Sequence, residues 1–134
     1  MAAARKWLSS LMLEMPAPLR SLRNLPLLGK IVHRLSHSIL PADQKIWARV
    51  ERGHGKGLWI ELNPRTGQHY LRGDVEPPLQ DVLAGLLKPG MVFYDLGANI
   101  GFFSLLAAKL VGPAGKVFSF EPDSENASRL RRNI

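Results

Sequence analysis

The segment Val92-Phe93-Tyr94-Asp95-Leu96-Gly97-Ala98-Asn99-Ile100-Gly101 constrains this chain more than any other. A short apolar run with Asp95 as its one charge enters a glycine-containing turn and leaves it as an apolar, helix-like stretch from Phe102 to Leu110. An apolar run of that kind suits a strand buried on both faces of a parallel sheet. Strand, tight turn and helix in that order predict the opening of a βα unit. In sheets built from such units, ligands sit beyond the carboxyl ends of the strands, closest to the first turn.

The downstream sequence continues the pattern. Gly112-Pro113-Ala114-Gly115 breaks the helix, Lys116 to Phe120 is a second β-like run, Glu121-Pro122-Asp123 follows, and Ser124 to Ile134 is helical in composition. The order β-α-β-α predicts a right-handed crossover and parallel pairing. The expected fold class is therefore α/β, the first half of a doubly wound, Rossmann-like sheet.

Upstream, Leu58 to Leu62 and Gln68 to Leu71 are short β-like runs around Asn63-Pro64-Arg65-Thr66-Gly67, and predict a hairpin. Pro77 and Pro78 suit the first turn of a helix, with Asp74 or Glu76 available to cap it. Leu79, Val82, Leu83, Leu86 and Leu87 form an apolar stripe along that helix, which Pro89-Gly90 ends. Gly53-His54-Gly55-Lys56-Gly57 invites a phosphate-loop reading, but Lys56 is followed by Gly57 and a strand-like run where that loop needs Ser or Thr and a helix. A turn is the better reading.

At 134 residues and 46% hydrophobic composition, there is room for one domain with a modest core plus an extension. The expected division is a basic, partly amphipathic helical arm over 1–52 and a domain over 53–134. The absence of cysteine excludes a disulfide framework, thiolate metal sites and a cysteine nucleophile. His33, His37, His54 and His69 show no metal-ligand spacing, so no metal is expected.

The formal net charge of +7 is unevenly spread: ten Lys and Arg face three acids before Trp59, and eight of each sign follow. The excess lies in the arm. There Leu28, Ile31, Val32, Leu35 and Ile39 recur at helical spacing between Lys30, His33, Arg34 and His37. Such an arm can face anionic lipid or an acidic partner, or simply be a solvated face. No motif for nucleic-acid binding accompanies the charge. No apolar run approaches the ~20 residues that span a bilayer, and Glu14 cuts short the signal-like start at Met1 to Met15. The expectation is a cytoplasmic protein with weak membrane-surface contact through its arm.

The chemistry concentrates at the turn. Gly97 and Gly101 remove Cβ atoms where backbone must turn tightly or lie against a ligand, and the following helix offers unpaired N–H groups. Glu121, at the end of the next strand, can accept both hydroxyls of a ribose, as the acid about 20 residues along does in dinucleotide sites. Yet Gly-x-Gly-x-x-Gly anchored on Gly97 would need glycines where Asn99 and Phe102 stand. Asp95 also puts a carboxylate beside the ligand, which repels a pyrophosphate and favours a cationic ammonium or sulfonium. The site suits S-adenosylmethionine better than NAD.

The stretch Asp95-Leu96-Gly97-Ala98-Asn99-Ile100-Gly101-Phe102-Phe103-Ser104, followed by Val117-Phe118-Ser119-Phe120-Glu121-Pro122, resembles the first motifs of class I S-adenosylmethionine-dependent methyltransferases, specifically of the FkbM family. Tyr70 to Pro77 and Leu87-Lys88-Pro89-Gly90 are similar to that family's lead-in. The resemblance spans roughly 53–134. It implies that Asp95, Gly97, Ala98, Asn99 and Gly101 form the loop around the methionine portion of S-adenosyl-L-methionine. It further implies that Glu121 binds the ribose, that Pro122 and Asp123 lie near the adenine, and that Glu76 is the family's pre-motif acid near the cofactor.

The expected activity is methyl transfer, with oxygen of a small molecule or sugar as acceptor; the catalytic residues are expected beyond Ile134, leaving this chain a truncated cofactor-binding half, inactive alone. Two rivals stand beside it: a fragment of an NAD-dependent oxidoreductase, and a non-catalytic fragment that docks on membrane or a partner.

Overall fold

The computed structural model describes residues 44–134. The amphipathic segment Leu25 to Leu40 and the Met1 to Met15 segment lie outside the described residues. Lys45–Leu62 and Thr66–Ile134 form one compact unit. Between its two stretches, the Arg65 amide donates to Asn63 Oδ1 at 2.8 Å, the side-chain-supported turn that Asn-Pro sequences favour.

The unit begins with an antiparallel pair, β1 (Ile46–Arg49) and β2 (Trp59–Leu62), in register Ile46↔Leu62 to Arg49↔Trp59. Alternation sorts the side chains: Ala48, Ile60 and Leu62 turn inward, while Trp47 and Trp59 remain exposed. Gly53 to Gly57 is the turn between the strands, tied by the Val50 amide to Leu58 O at 2.8 Å and the Gly57 amide to Val50 O at 2.9 Å. A hairpin exists, then, but with a different partner for β2 than the sequence predicts, and its first strand lies before residue 53.

Gln68–Arg72, expected as the second hairpin strand, is instead a short helix, α1. Gly73, in the left-handed region at φ 76°, closes it: the Gly73 amide donates to Tyr70 O and the Asp74 amide to His69 O, the paired bonds of a Schellman motif. A side chain at Gly73 would strike the Arg52 carbonyl, and the Glu51 amide reaches Leu71 O at 2.9 Å. With β1 already paired to β2, these four or five residues gain more by turning Tyr70 and Leu71 onto the core than by pairing as a strand.

Helix α2 (Pro77–Leu86) opens on its two prolines, with Glu76 at the capping position; no side-chain cap bond forms. Its predicted stripe is only partly buried. Leu83 packs inward, but Leu79, Val82 and Leu86 are exposed, and the buried partner of Leu83 is Gln80. Gln80 Nε2 donates to Gly73 O at 2.9 Å and Val75 O at 2.7 Å, while its Oε1 accepts from the His54 amide at 3.2 Å. One buried amide thus fastens α2 to the end of α1 and to the glycine-rich turn.

Strands β3 (Val92–Leu96) and β4 (Lys116–Phe120) pair in parallel, from Val92↔Lys116 to Leu96↔Phe120, across α3 (Phe102–Val111). The β-α-β-α order is as expected, and the α/β architecture is compatible with a Rossmann-like sheet. Burial on both faces is not what forms: Val92, Tyr94, Leu96, Phe118 and Phe120 are exposed. Among the described residues, α3 covers one face of this two-stranded sheet and nothing covers the other.

Helix α4 (Ser124–Asn133) starts at Asp123, whose side chain accepts from the Asn126 amide at 2.8 Å. Its far end docks on β2. Asn133 accepts from the Glu61 amide and donates to Ile100 O, each at 2.7 Å, and Arg132 pairs with Glu61 at 2.8 Å. The core is shared accordingly: Ala48, Val50, Ile60 and Leu62 of the hairpin meet Ile100 and Phe102 at the start of α3.

Candidate cofactor site

The turn from β3 into α3 is built from three left-handed residues: Gly97 at φ 86°, Asn99 at φ 51° and Gly101 at φ 95°. The two glycines are there for different reasons. A Cβ on Gly97 would meet nothing within 4 Å, so only its dihedral calls for glycine. A Cβ on Gly101 would stand 2.7 Å from Leu130 Cδ1, so there the close packing of α4 adds to the dihedral. Asn99 tolerates φ > 0 better than most side chains, and non-glycine residues so placed concentrate at ligand sites.

The turn is laced to the end of β4. The Gly97 and Ala98 amides both donate to Phe120 O, at 2.8 and 3.0 Å. The Asn99 amide donates to Glu121 Oε2 at 2.7 Å, and the Asp123 amide to Glu121 Oε1 at 2.9 Å. Glu121 therefore spans the turn and the start of α4. A cleft of about 650 Å³ lies beside it at the carboxyl ends of β3 and β4, with Leu96, Gly97, Phe120, Glu121 and Pro122 along one side and Leu130 and Arg131 of α4 with the following Ile134 along the other.

Of the residues singled out from sequence, Gly97, Glu121 and Pro122 line this cleft. Ala98 is buried and Asn99 is exposed at the turn, while Asp123 serves as the cap of α4. Asp95 points to the α3 side of the sheet, where Ser104 Oγ donates to its Oδ2 at 2.6 Å. Glu76 stands apart from the cleft lining, exposed and at a left-handed φ of 40°. Its charge acts on Tyr70: burial pushes the Tyr70 hydroxyl above its usual range, the Arg129 guanidinium opposes that, and Glu76 adds to it.

Sequence reasoning left three groups without a role: Ser104, Ser119 and the α4 wall of the cleft. Ser104, a hydroxyl within the apolar first two turns of α3, is the signal that was available. His54 bonds Asp81 at 2.8 Å on the surface, and the His69 ring lies tilted against Tyr70 at 4.2 Å. No helix among the described residues is long and apolar enough to cross a membrane.

Against known proteins, the chain is 38% identical over 86 residues to the 31-O-demethyl-FK506 methyltransferase FkbM of Streptomyces tacrolimicus; the match covers 64% of this chain and 28% of that relative. No family profile matches the chain, and no solved structure matches it. The similarity to FkbM supports a methyltransferase-related family, on a segment a little over a quarter of the relative's length.

Proposed function

We propose that this chain carries the S-adenosylmethionine-binding part of an FkbM-type methyltransferase that transfers methyl to an oxygen of a small molecule or sugar. The position of Glu121 carries the reading. Its carboxylate stands at the end of β4 beside the cleft, fixed by amides from Asn99 and Asp123. Each carboxylate oxygen has a further lone-pair direction beyond the amide it already accepts, which suits it to paired ribose hydroxyls. Gly97, with no atom within 4 Å of where its Cβ would be, leaves the turn open to close ligand approach.

The two carboxylates nearest the turn suit a cationic ligand. Asp95 and Glu121 flank the turn from the two strands, a poor setting for a pyrophosphate, and Leu130 and Ile134 stand against Gly101 at the start of α3, where a dinucleotide's phosphates would seat. Bound here, S-adenosylmethionine supplies an electrophilic methyl on a positively charged sulfur. The chain's own contribution is to bind and orient: Glu121 at the ribose, Gly97 to Gly101 along the methionine portion, and Pro122 and Asp123 toward the adenine.

Equilibrium dialysis of the chain with tritiated S-adenosylmethionine and, separately, with labelled NAD tests this. Saturable S-adenosylmethionine binding is expected, and Glu121→Gln, which gives up charge-assisted bonds, should weaken it about tenfold or more. Saturable NAD binding without S-adenosylmethionine binding would sink the proposal.

A further inference from the structure

Three hydroxyl and carboxyl groups meet beneath the turn, on the face of the sheet that α3 covers. Asp95 and Ser119 are register partners across β3 and β4, so their side chains rise side by side from that face. Ser104, from the first turn of α3 and only 1% exposed, comes down between them. Ser119 Oγ lies 2.8 Å from Ser104 Oγ, which lies 2.6 Å from Asp95 Oδ2.

The chemistry of these groups gives the chain of bonds one direction. An ionised carboxylate only accepts, and each serine has a single hydrogen to donate. Ser104 therefore gives its hydrogen to Asp95 and must take that of Ser119. The 2.6 Å separation falls in the range of an O–H bond to a charged oxygen. Carboxylate torsions are otherwise broad and loosely held. Here one oxygen is pinned by a buried donor that is itself pinned, which settles where the other oxygen points.

From this relay we infer that Ser104, backed by Ser119, is a positioning residue: it fixes the Asp95 carboxylate so that its free oxygen serves the cationic amino-acid end of a ligand seated at the Gly97 turn. The inference rests on the cofactor reading given above. A relay that merely fastened α3 to the sheet would have no preference among ligands. One that positions Asp95 acts only on a ligand with a cationic amino-acid end. Glu121, which grips the ribose end, belongs to a separate set of bonds through Asn99 and Asp123.

Two ligands separate these roles: S-adenosylmethionine, and 5′-methylthioadenosine, which has the same nucleoside but neither the amino-acid end nor the positive sulfur. With the full chain in equilibrium dialysis, Ser104→Ala should bind S-adenosylmethionine about tenfold more weakly, the scale of one bond to a charged group, and 5′-methylthioadenosine within about twofold of the parent. Ser119→Ala should show the same selectivity at smaller amplitude. It also stands in for Ser104→Ala should circular dichroism show the latter unfolded.

Ser104→Ala combined with Asp95→Asn should lose little more than Asp95→Asn alone, because residues acting as one unit are not additive. Equal loss of both ligands, or of neither, overturns the inference while leaving the cofactor reading in place. A parent chain that binds neither ligand overturns the cofactor reading and the inference with it.

Discussion

Glu121 and the glycines of the turn show how single residues divide the work. Glu121 accepts two backbone amides that no other described group satisfies in its place, so its removal reaches both the turn and the start of α4. Gly97 and Gly101 share a positive φ but differ in surroundings, which predicts unequal costs of adding a methyl group. Gly97→Ala bears only the left-handed penalty, about 1 kcal/mol. Gly101→Ala adds a collision with Leu130 and should cost about 2 to 4 kcal/mol. Urea titration followed by circular dichroism reads both; equal midpoints would contradict the packing of α4 on the turn. The motif made both glycines visible in sequence. That one is dihedral and the other also steric was not, because Leu130 arrives from 29 positions further along the chain.

At the scale of elements, long periodic runs and strong punctuation were legible and short runs were not. The helices α2 and α3 and the strands β3 and β4 follow from apolar runs with Pro and Gly at the ends, and α4 from its helical composition. Gln68 to Leu71 offers too few residues to separate strand from helix by periodicity, and its fate was decided by β1 taking the place beside β2. Composition also overstated the burial of β3. Its wholly apolar face, Val92, Tyr94 and Leu96, is the one that no described element covers, while α3 lies against the face carrying Phe93 and Asp95; Tyr94 stacks on Phe118 at 5.1 Å, with Leu96 78% exposed. Contiguous apolar surface of this kind is uncommon on a folded domain. The chain should therefore bind a hydrophobic dye such as ANS while folded, and Tyr94→Lys with Phe118→Lys should abolish most of that signal without lowering the thermal midpoint by more than a few degrees. Unchanged dye fluorescence in the double variant would place the exposed surface elsewhere.

For the molecule as a whole, charge is the property that sequence states most directly. The entire excess of +7 precedes Trp59, while the portion holding the candidate site is balanced. We predict electrostatic attraction of that basic segment to anionic lipid, on the order of 1 kcal/mol per basic residue near the surface and screened by salt. In liposome sedimentation, the full chain should pellet with vesicles containing phosphatidylserine at low salt and be released at about 0.5 M NaCl; equal pelleting with neutral vesicles would remove the electrostatic explanation. Charge, the βα order and the glycine-containing turn from Gly97 to Gly101 were determined by the sequence alone, because each is read directly from residues in their order along the chain. The pairing of β1 with β2, the buried ties made by Gln80 and Asn133, the open face of β3 and β4, and the Ser119, Ser104 and Asp95 relay were decided only by tertiary structure. Each of these joins groups from separate elements, or depends on which neighbour is there to cover them, and local pattern has no means of encoding either.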